Sequence, residues 1–584
     1  MLFNGAFRRG CHWQDFVAVI YHGCLLDRAM AGYLTALPLL ATLVSVWISI
    51  PRLKAVFSVY YGIIAFLVAL IIVSDTCLYS FWQFKLDATV LNYLDSPKDA
   101  FASVSLFYLL TASVVILLLS GFFWYVWKLV TPRFPFPSTH RILTSISLLL
   151  TGVVLFLFIR GGTGQSTTNI GMVYYSDNQF LNHSAVNPVF SLVSSLGKVE
   201  KFQDKFNYYT EERRAELFGQ LGFNTKSNTI DTLLNTSRPN VLIILLEGMG
   251  ATFVEATGGK VGVTPQMNRL SKEGILFTQC YANSYRTDRG TVCTFSGYPS
   301  FPDVSVMKIP EKSRTLPSIA HTLTNAGYRT DFVYGGDINF TNMQSYLRST
   351  SYQHVVGETS FTEAERKTHD WGVTDRIMFD YLYKQLLTRQ NKKQLWHTAF
   401  LTLASHEPWK VPYNRITDDE KANAMAYTDD CLGQFVEKLR RTPLWKNLLI
   451  ICLPDHGIAY PEGVDESTTR ISHIPMLWLG GAVKAPKQIN SICNQSDLAA
   501  TLLGQMQLPH ADFRFSRDVT SSTYTYPFAM HNFREGFAFI DSTGYSIINN
   551  TTGRSINEFP QQSLRRAELG RAYLQTGYDD LGLR

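Results

Sequence analysis

Apolar positions are spread unevenly along this chain. Four uncharged runs, Ala31–Ile50, Ala55–Ser74, Val104–Trp127 and Ile142–Ile159, fall within the first 160 residues. Each is close to the ~20 residues a helix needs to cross a hydrocarbon core of roughly 30 Å. Four such runs so close together predict an α-helical transmembrane bundle rather than buried helices of a soluble domain. The residues before them carry Arg8, Arg9, Asp15, Asp27 and Arg28 and are not expected to span. Trp13, Phe16, Val17 and Ile20 have the spacing of a short amphipathic helix lying on the membrane surface.

Past the last run the pattern turns polar and irregular, as in "GGTGQSTTNIGMVYYSDNQF". Residues 161–237 are predicted to be a connector with one helix from Thr210 to Gln220. From Pro239 short apolar runs alternate with helical periodicity. "NVLIILLEG" is a continuous apolar run ending in an acid, the signature of a strand buried on both faces. "RTDFVYGGD", "TAFLTLASHEPW", "NLLIICLPDHG" and "IPMLWLGG" read as further strands. "TPQMNRLSKEG", "TLPSIAHTLTNAG", "AMAYTDDCLGQFVEKLRR" and "QSDLAATLLGQM" read as helices. This alternation implies a mostly parallel sheet covered by helices on both faces. "GFAFIDSTGYSIINNTTG" reads as a hairpin, giving a small β-containing subregion near the C-terminus. The predicted organisation is a membrane domain (1–160), a connector (161–237) and an α/β domain (238–584).

Loop charge sets the expected orientation. The loop at Pro51–Lys54 carries Arg52 and Lys54, and the loop at Lys128–Arg141 carries Lys128, Arg133 and Arg141 without an acid. The loop between them holds Lys85 and Lys98 against Asp75, Asp87, Asp95 and Asp99. Positive loops stay cytoplasmic, so the middle loop and everything beyond residue 161 are expected outside the cytoplasm. The N-terminus then also lies outside, although no signal peptide is visible, and an earlier first span would explain this. The net charge of +6 is small for 584 residues and no basic run is present, so nucleic acid is not an expected partner. Cys280, Cys293, Cys431, Cys452 and Cys493 are scattered beyond the membrane part, an odd number with no CxxC. They form neither a disulfide framework nor a zinc cluster.

Chemistry is expected at the carboxyl ends of the parallel strands. Three strands end in polar groups there: Glu247, His406 and the pair Asp455–His456. Thr287 heads a further predicted helix in "SYRTDRG". Taken singly, Thr287 reads as a helix cap, Glu247 as a loop acid and His406 as a structural histidine. Together they make a single-metal site of oxygen donors and one imidazole, suited to Mn²⁺ or Mg²⁺ and compatible with Zn²⁺. A cation on Thr287 Oγ would turn an unreactive hydroxyl into a nucleophile. Arg289 has the guanidinium fork that suits a phosphate, whereas Arg286, Arg376 and His473 read as surface or ion-pair groups.

"PNVLIILLEGMG", "SYRTDRG", "LASHEPW" and "LPDHG", in this order and spacing, resemble the sulfatase-like branch of the alkaline phosphatase superfamily. More narrowly they resemble the lipoteichoic acid synthase and phosphoglycerol transferase family. The resemblance implies a membrane bundle followed by an α/β alkaline-phosphatase/sulfatase-like catalytic domain outside the cytoplasm. It implies one divalent cation on Glu247, Thr287, Asp455 and His456, with Thr287 as nucleophile and His406 in contact with substrate. "YGGDINFTNM" resembles the family's glycerol-phosphate contact region, which brings in Asp337. The implied reaction moves glycerophosphate from a membrane phospholipid, phosphatidylglycerol, to an envelope glycan, lipid or polymer. The chain departs from the family at Gly248, where Ser is common, and at Arg286 and Arg289, where small residues flank the Thr. No CxPSR-type sequence surrounds Thr287, which counts against sulfate-ester hydrolysis. Two alternatives stand: phosphoethanolamine transfer in the same superfamily, and a non-catalytic envelope-binding protein with this fold.

Overall fold

The apolar runs fold as helices longer than the runs themselves. In the computed structural model, described over residues 1–88, 90, 106–130, 140–196, 202–223 and 228–584, α1 spans Trp13–Trp47, α2 Leu53–Trp82, α3 Leu106–Val130 and α4 Arg141–Arg160. All four are long and apolar enough to cross a membrane. Phe107, Leu117, Leu118, Leu143 and Leu150 point outward uncovered, as lipid-facing side chains do. The expected surface helix around Trp13 is not a separate element. It is the first part of α1, which runs for 35 residues, about 52 Å at 1.5 Å per residue. That exceeds the hydrocarbon core, so one helix accommodates both the charged first half and the apolar run. Asp27 in that half accepts a 2.7 Å hydrogen bond from Asn187. Lys98, Asp95, Asp99 and Arg133, used in the charge argument, lie outside the described residues.

The chain divides into two compact units, residues 1–200 and 201–584. The stretch read as a connector is shared between them. Helices α5 (Gln179–Ala185) and α6 (Pro188–Leu196) lie in the first, and the helix expected from Thr210 to Gln220 is α7 (Glu211–Gly219), capped by Thr210, in the second.

The second unit is built on a nine-stranded sheet of order β4-β3-β5-β1-β6-β7-β2-β8, with β9 also paired to β2. The strands are β1 (Asn240–Leu246), β2 (Ile275–Tyr281), β3 (Arg329–Tyr334), β4 (His354–Val356), β5 (Trp396–Leu401), β6 (Leu448–Pro454), β7 (His473–Leu479), β8 (Lys487–Ile489) and β9 (Cys493–Asn494). From β4 to β6 every pairing is parallel, and β7 runs antiparallel to both β6 and β2. β1 lies in the middle, and Val241 to Leu246 are all fully buried. The period-2 alternation of a strand explains why no polar face appears. Val241, Ile243 and Leu245 enter one apolar layer with Leu449, Ile451 and Leu453; Leu242, Ile244 and Leu246 enter the other with Leu448 and Ile450.

Helices cover both faces, as the alternation predicted. The first layer is closed by α9 (Thr287–Ser296), α10 (Ile319–Asn325) and α13 (Asp497–Gln505) through Phe295, Leu323 and Leu502. The second is closed by α8 (Pro265–Ser271), α11 (Asp375–Leu387) and α12 (Glu420–Arg440) through Leu270, Leu382 and Phe435. The predicted hairpin is β11 (Gly536–Asp541) and β12 (Gly544–Asn549), the middle of a four-stranded antiparallel sheet with β10 (Phe528–Phe533) and β13 (Ser555–Phe559). The C-terminal helix α14 (Leu564–Leu583) joins the first apolar layer through Leu569 and Tyr573.

Candidate active site

Four predicted residues meet at the carboxyl end of the parallel strands. Glu247 follows β1, Asp455 and His456 follow β6, and Thr287 opens α9. Thr287 Oγ1 donates to Glu247 Oε2 at 3.1 Å and lies 3.4 Å from His456 Nε2. His456 Nε2 is 3.4 Å from Glu247 Oε1 and 3.5 Å from Asp455 Oδ2. One donor atom from each of Glu247, Asp455 and His456 falls within a 4.8 Å spread, and all three residues are buried. Thr287 is half-buried.

Thr287 is not the cap of its helix. Arg286 holds the cap position, and its carbonyl accepts from Gly290 N at 2.9 Å. The Thr287 hydroxyl makes no bond to the first-turn amides and is spent on the cluster instead. An added Cβ at Gly290 would run into the Asp455 carbonyl oxygen, so only glycine lets α9 approach the end of β6 this closely. Gly248, where the family often carries Ser, sits at φ +61°, a conformation natural to glycine. Its amide donates to Asp455 Oδ1 at 3.0 Å, alongside the amide of His456 at 2.9 Å.

The donor set suits a divalent cation. Asp455 Oδ2 is buried and has no hydrogen-bond donor, an arrangement that is costly unless another partner takes the charge. His456 Nδ1 donates to the Gly457 carbonyl at 2.9 Å, which leaves Nε2, the atom aimed at the carboxylates, as the ligand nitrogen. Among these side chains alone, burial works against an imidazolium, but the Asp455 and Glu247 carboxylates push the His456 pKa up. Burial and the neighbouring Glu247 charge raise the Asp455 pKa. Burial also opposes ionisation of Glu247, and the His456 hydrogen bond and charge outweigh it, holding Glu247 low. Two acids and one imidazole thus compete for a single positive charge, and a cation would displace that proton.

The other predicted residues divide. His406 is half-buried on the loop after β5, with Nδ1 donating to the Glu407 carbonyl at 2.8 Å and its charge felt at Glu247. Asp337 follows β3 and accepts from Asn339 N at 2.9 Å. It flanks Tyr334, a buried phenol that also feels Glu247 and Asp455. Arg289 makes its bonds elsewhere. Its guanidinium is buried and donates to the carbonyls of Val304 (3.1 Å) and Pro302 (3.5 Å), over the ring of Tyr285. Two residues along a helix is about 200° of rotation, so Arg289 projects away from the Thr287 face. Arg286 is exposed. Arg376 pairs with Asp430, and His473 Nε2 bonds to the Thr278 carbonyl, both away from the cluster.

Several supporting residues were not foreseen from the sequence. Thr402 Oγ1 accepts from Glu247 N at 3.0 Å, and Ser405 Oγ donates to the Glu247 carbonyl at 2.6 Å. Gln495 Nε2 donates to the carbonyls of Pro454 (2.9 Å) and Asp455 (2.8 Å). Trp371 packs on His406 with ring centroids 4.4 Å apart and meets Phe340 at 5.6 Å. Asp375 Oδ1 accepts from the amides of Leu403 (2.8 Å) and Ala404 (3.1 Å), and Oδ2 accepts from Thr428 at 2.7 Å. It therefore fixes the loop that carries Ser405 and His406. Asp375→Ala should strand two buried amides and lower stability by about 2–4 kcal/mol. Asp375→Asn, which keeps an acceptor oxygen, should cost less. Thermal unfolding of the detergent-solubilised chain reads the difference, and equal losses would show that the carboxylate does not hold this loop.

A sulfatase family model matches residues 239–508. Phosphoglycerol transferase I of Salmonella arizonae is 25% identical over 236 residues, covering 37% of this chain and 30% of that protein. Phosphoglycerol transferase I of Shigella boydii is 22% identical over 339 residues, covering 54% of this chain and 44% of that one. The matches thus span less than half the length of these relatives. Among solved structures, an alkaline phosphatase superfamily protein of Vibrio parahaemolyticus superposes with TM-score 0.57 at 23% identity, over 65% of this chain and 98% of that one. The lipoteichoic acid synthase LtaP of Listeria monocytogenes superposes with TM-score 0.52 at 16% identity, over 63% and 97%. Residues 239–508 thus carry a sulfatase-type domain, similar in sequence to phosphoglycerol transferases I and similar in fold to LtaP.

Proposed function

We propose that this chain is a membrane-anchored phosphotransferase that moves a glycerophosphate headgroup from phosphatidylglycerol to a hydroxyl of an envelope glycan, lipid or polymer. The observation that carries the reading is the placement of Thr287: a helix-opening hydroxyl that caps nothing and bonds into a buried Glu–Asp–His cluster. Glu247, Asp455, His456 and Thr287 Oγ1 would hold one divalent cation, with Mn²⁺ the first expectation and Mg²⁺ or Zn²⁺ the alternatives. Such an ion would favour the threonine alkoxide and offset charge on a phosphoryl oxygen.

Thr287 Oγ attacks the lipid phosphorus. A Thr287 Oγ–P bond forms, the bond from phosphorus to the diacylglycerol oxygen breaks, and that oxygen leaves with a proton as diacylglycerol. An acceptor hydroxyl then attacks the same phosphorus, gives up its proton, and returns Thr287 to its free form. The amides at the start of α9 favour the anionic phosphate there. His406, its Nδ1 fixed by the Glu407 carbonyl, positions the phosphate or the leaving and entering oxygens. Asp337 would accept a hydrogen bond from a glycerol hydroxyl. The membrane domain (1–160) would tether the connector (161–237) and the catalytic domain (238–584) to the membrane that holds the lipid donor. In this reading that domain lies on the extracytoplasmic side of the cytoplasmic membrane, as the loop charges support.

The test uses two lipids with labelled headgroups, phosphatidylglycerol and phosphatidylethanolamine, each incubated with the purified chain and a divalent cation. Transfer of the glycerol label with accumulation of diacylglycerol is the expected result. Transfer of the ethanolamine label instead would replace the donor. Retention of both labels on their lipids would leave a binding protein in place of the enzyme.

A further inference from the structure

Cys280 and Cys493 are far apart in sequence and adjacent in the fold. Cys280 lies near the end of β2 and Cys493 opens β9, and the two are Cα partners in a parallel pair. Neighbouring strands run about 4.8 Å apart, within the roughly 4.4–6.8 Å between Cα atoms that a disulfide accepts. Both side chains are completely buried. The other cysteines of this unit are placed differently: Cys293 lies in α9, Cys431 in α12, and Cys452 pairs with Ile244 and Leu477.

We propose that Cys280 and Cys493 form an intramolecular disulfide that ties together the two segments framing the candidate active site. The inference rests on the reading that puts this unit outside the cytoplasm, where disulfides persist. From Cys280 the chain runs directly to Thr287. From Cys493 it runs to Gln495, which holds the carbonyls of Pro454 and Asp455. Backbone bonds already join the segments, with Gln495 N donating to the Tyr281 carbonyl at 2.8 Å. A covalent bond beside them would keep the nucleophile's strand and the Asp455 support in one register. One such bridge within a sheet is invisible to cysteine spacing, because the partners meet only through β pairing.

The bond forms by exchange with a dithiol oxidant in its disulfide form, such as a thiol–disulfide oxidoreductase. One cysteine thiolate attacks the oxidant's disulfide, making a mixed disulfide and releasing one oxidant thiolate. The second cysteine thiolate attacks the protein sulfur of that mixed disulfide and releases the other. The protein loses two protons and two electrons, and the oxidant becomes a dithiol. Because the pair is buried in the folded domain, exchange takes place during folding.

The test is acid quenching of cells producing the full chain, followed by alkylation with N-ethylmaleimide in denaturant before and after reduction. The expected result is a Cys280–Cys493 cross-linked peptide in the unreduced digest, with two of the eight cysteines alkylated only after reduction. Cys280→Ala should free Cys493 for alkylation, and Cys493→Ala should free Cys280. In parallel, the chain is synthesised cell-free into lipid nanodiscs in a buffer of reduced and oxidised glutathione. Thiols that stay reduced in cells but bridge in the nanodiscs would overturn the disulfide in the cell and trace the failure to the assigned side of the membrane. Thiols that stay reduced in both settings, or a bridge between other cysteines, would overturn the pairing itself.

Discussion

Thr287→Ala abolishes headgroup transfer and leaves the protein folded. The expected loss is on the order of 10⁶-fold, the scale seen when a covalent nucleophile is removed, because no neighbouring group can form the intermediate in its place. The structure separates this outcome from a cap effect. A threonine that caps a helix costs about 1 kcal/mol when replaced by alanine and leaves activity largely intact. Arg286 occupies the cap position and the Thr287 hydroxyl bonds to Glu247, so the substitution should cost little stability. Thr287→Ser keeps the hydroxyl and should retain part of the activity, reduced because the methyl group that limits the rotamers is gone. Steady-state transfer rates with a labelled lipid, alongside thermal unfolding of each variant, read both quantities. Near-normal transfer by the alanine protein would remove Thr287 from the mechanism.

The second large effect is expected at Asp455. Its Oδ1 is fully used by the amides of Gly248 and His456, while Oδ2 is buried without a donor. Asp455→Asn preserves the shape and the accepted bonds but presents an amide in place of the unpaired carboxylate oxygen. It should therefore weaken the cation strongly and cut turnover by at least about 10²–10³-fold, the scale of one lost electrostatic contact to a developing charge. Metal content of the purified protein, measured by inductively coupled plasma mass spectrometry, gives a readout independent of activity. Wild type should carry about one divalent ion per chain and Asp455→Asn much less. A chelator should silence the wild type and added Mn²⁺ should restore it. Full activity of the chelated enzyme would dissociate this cluster from catalysis.

What the sequence revealed and what it concealed have physical reasons. β1 was legible because a strand buried on both faces must be apolar at every position, and "NVLIILL" is. The site acids were legible because parallel strands deliver their last residues to one edge. β2 was not assigned: it carries Thr278 and Gln279 amid apolar residues and is held by β7, β8 and β9, all far along the chain. The first helix was read as two pieces because Asp27 and Arg28 interrupt its apolar pattern, yet charge alone does not end a helix. The bonds of Arg289 to the Val304 and Pro302 carbonyls were not legible, because they join residues brought together only by the fold. Asp375, Ser405 and Gln495 escaped notice because they act through backbone amides and carbonyls, and no residue pattern marks such partners in advance.

The central claim is that Thr287 carries the headgroup. It is tested most directly by incubating the wild-type chain with phosphatidylglycerol, divalent cation and no acceptor, quenching in acid, and mapping covalent mass by tandem mass spectrometry. A glycerophosphoryl group on Thr287, dependent on the lipid and lost when an acceptor is supplied, is the expected result. Headgroup transfer that proceeds with Thr287 unmodified, or an adduct on any other residue, would contradict it.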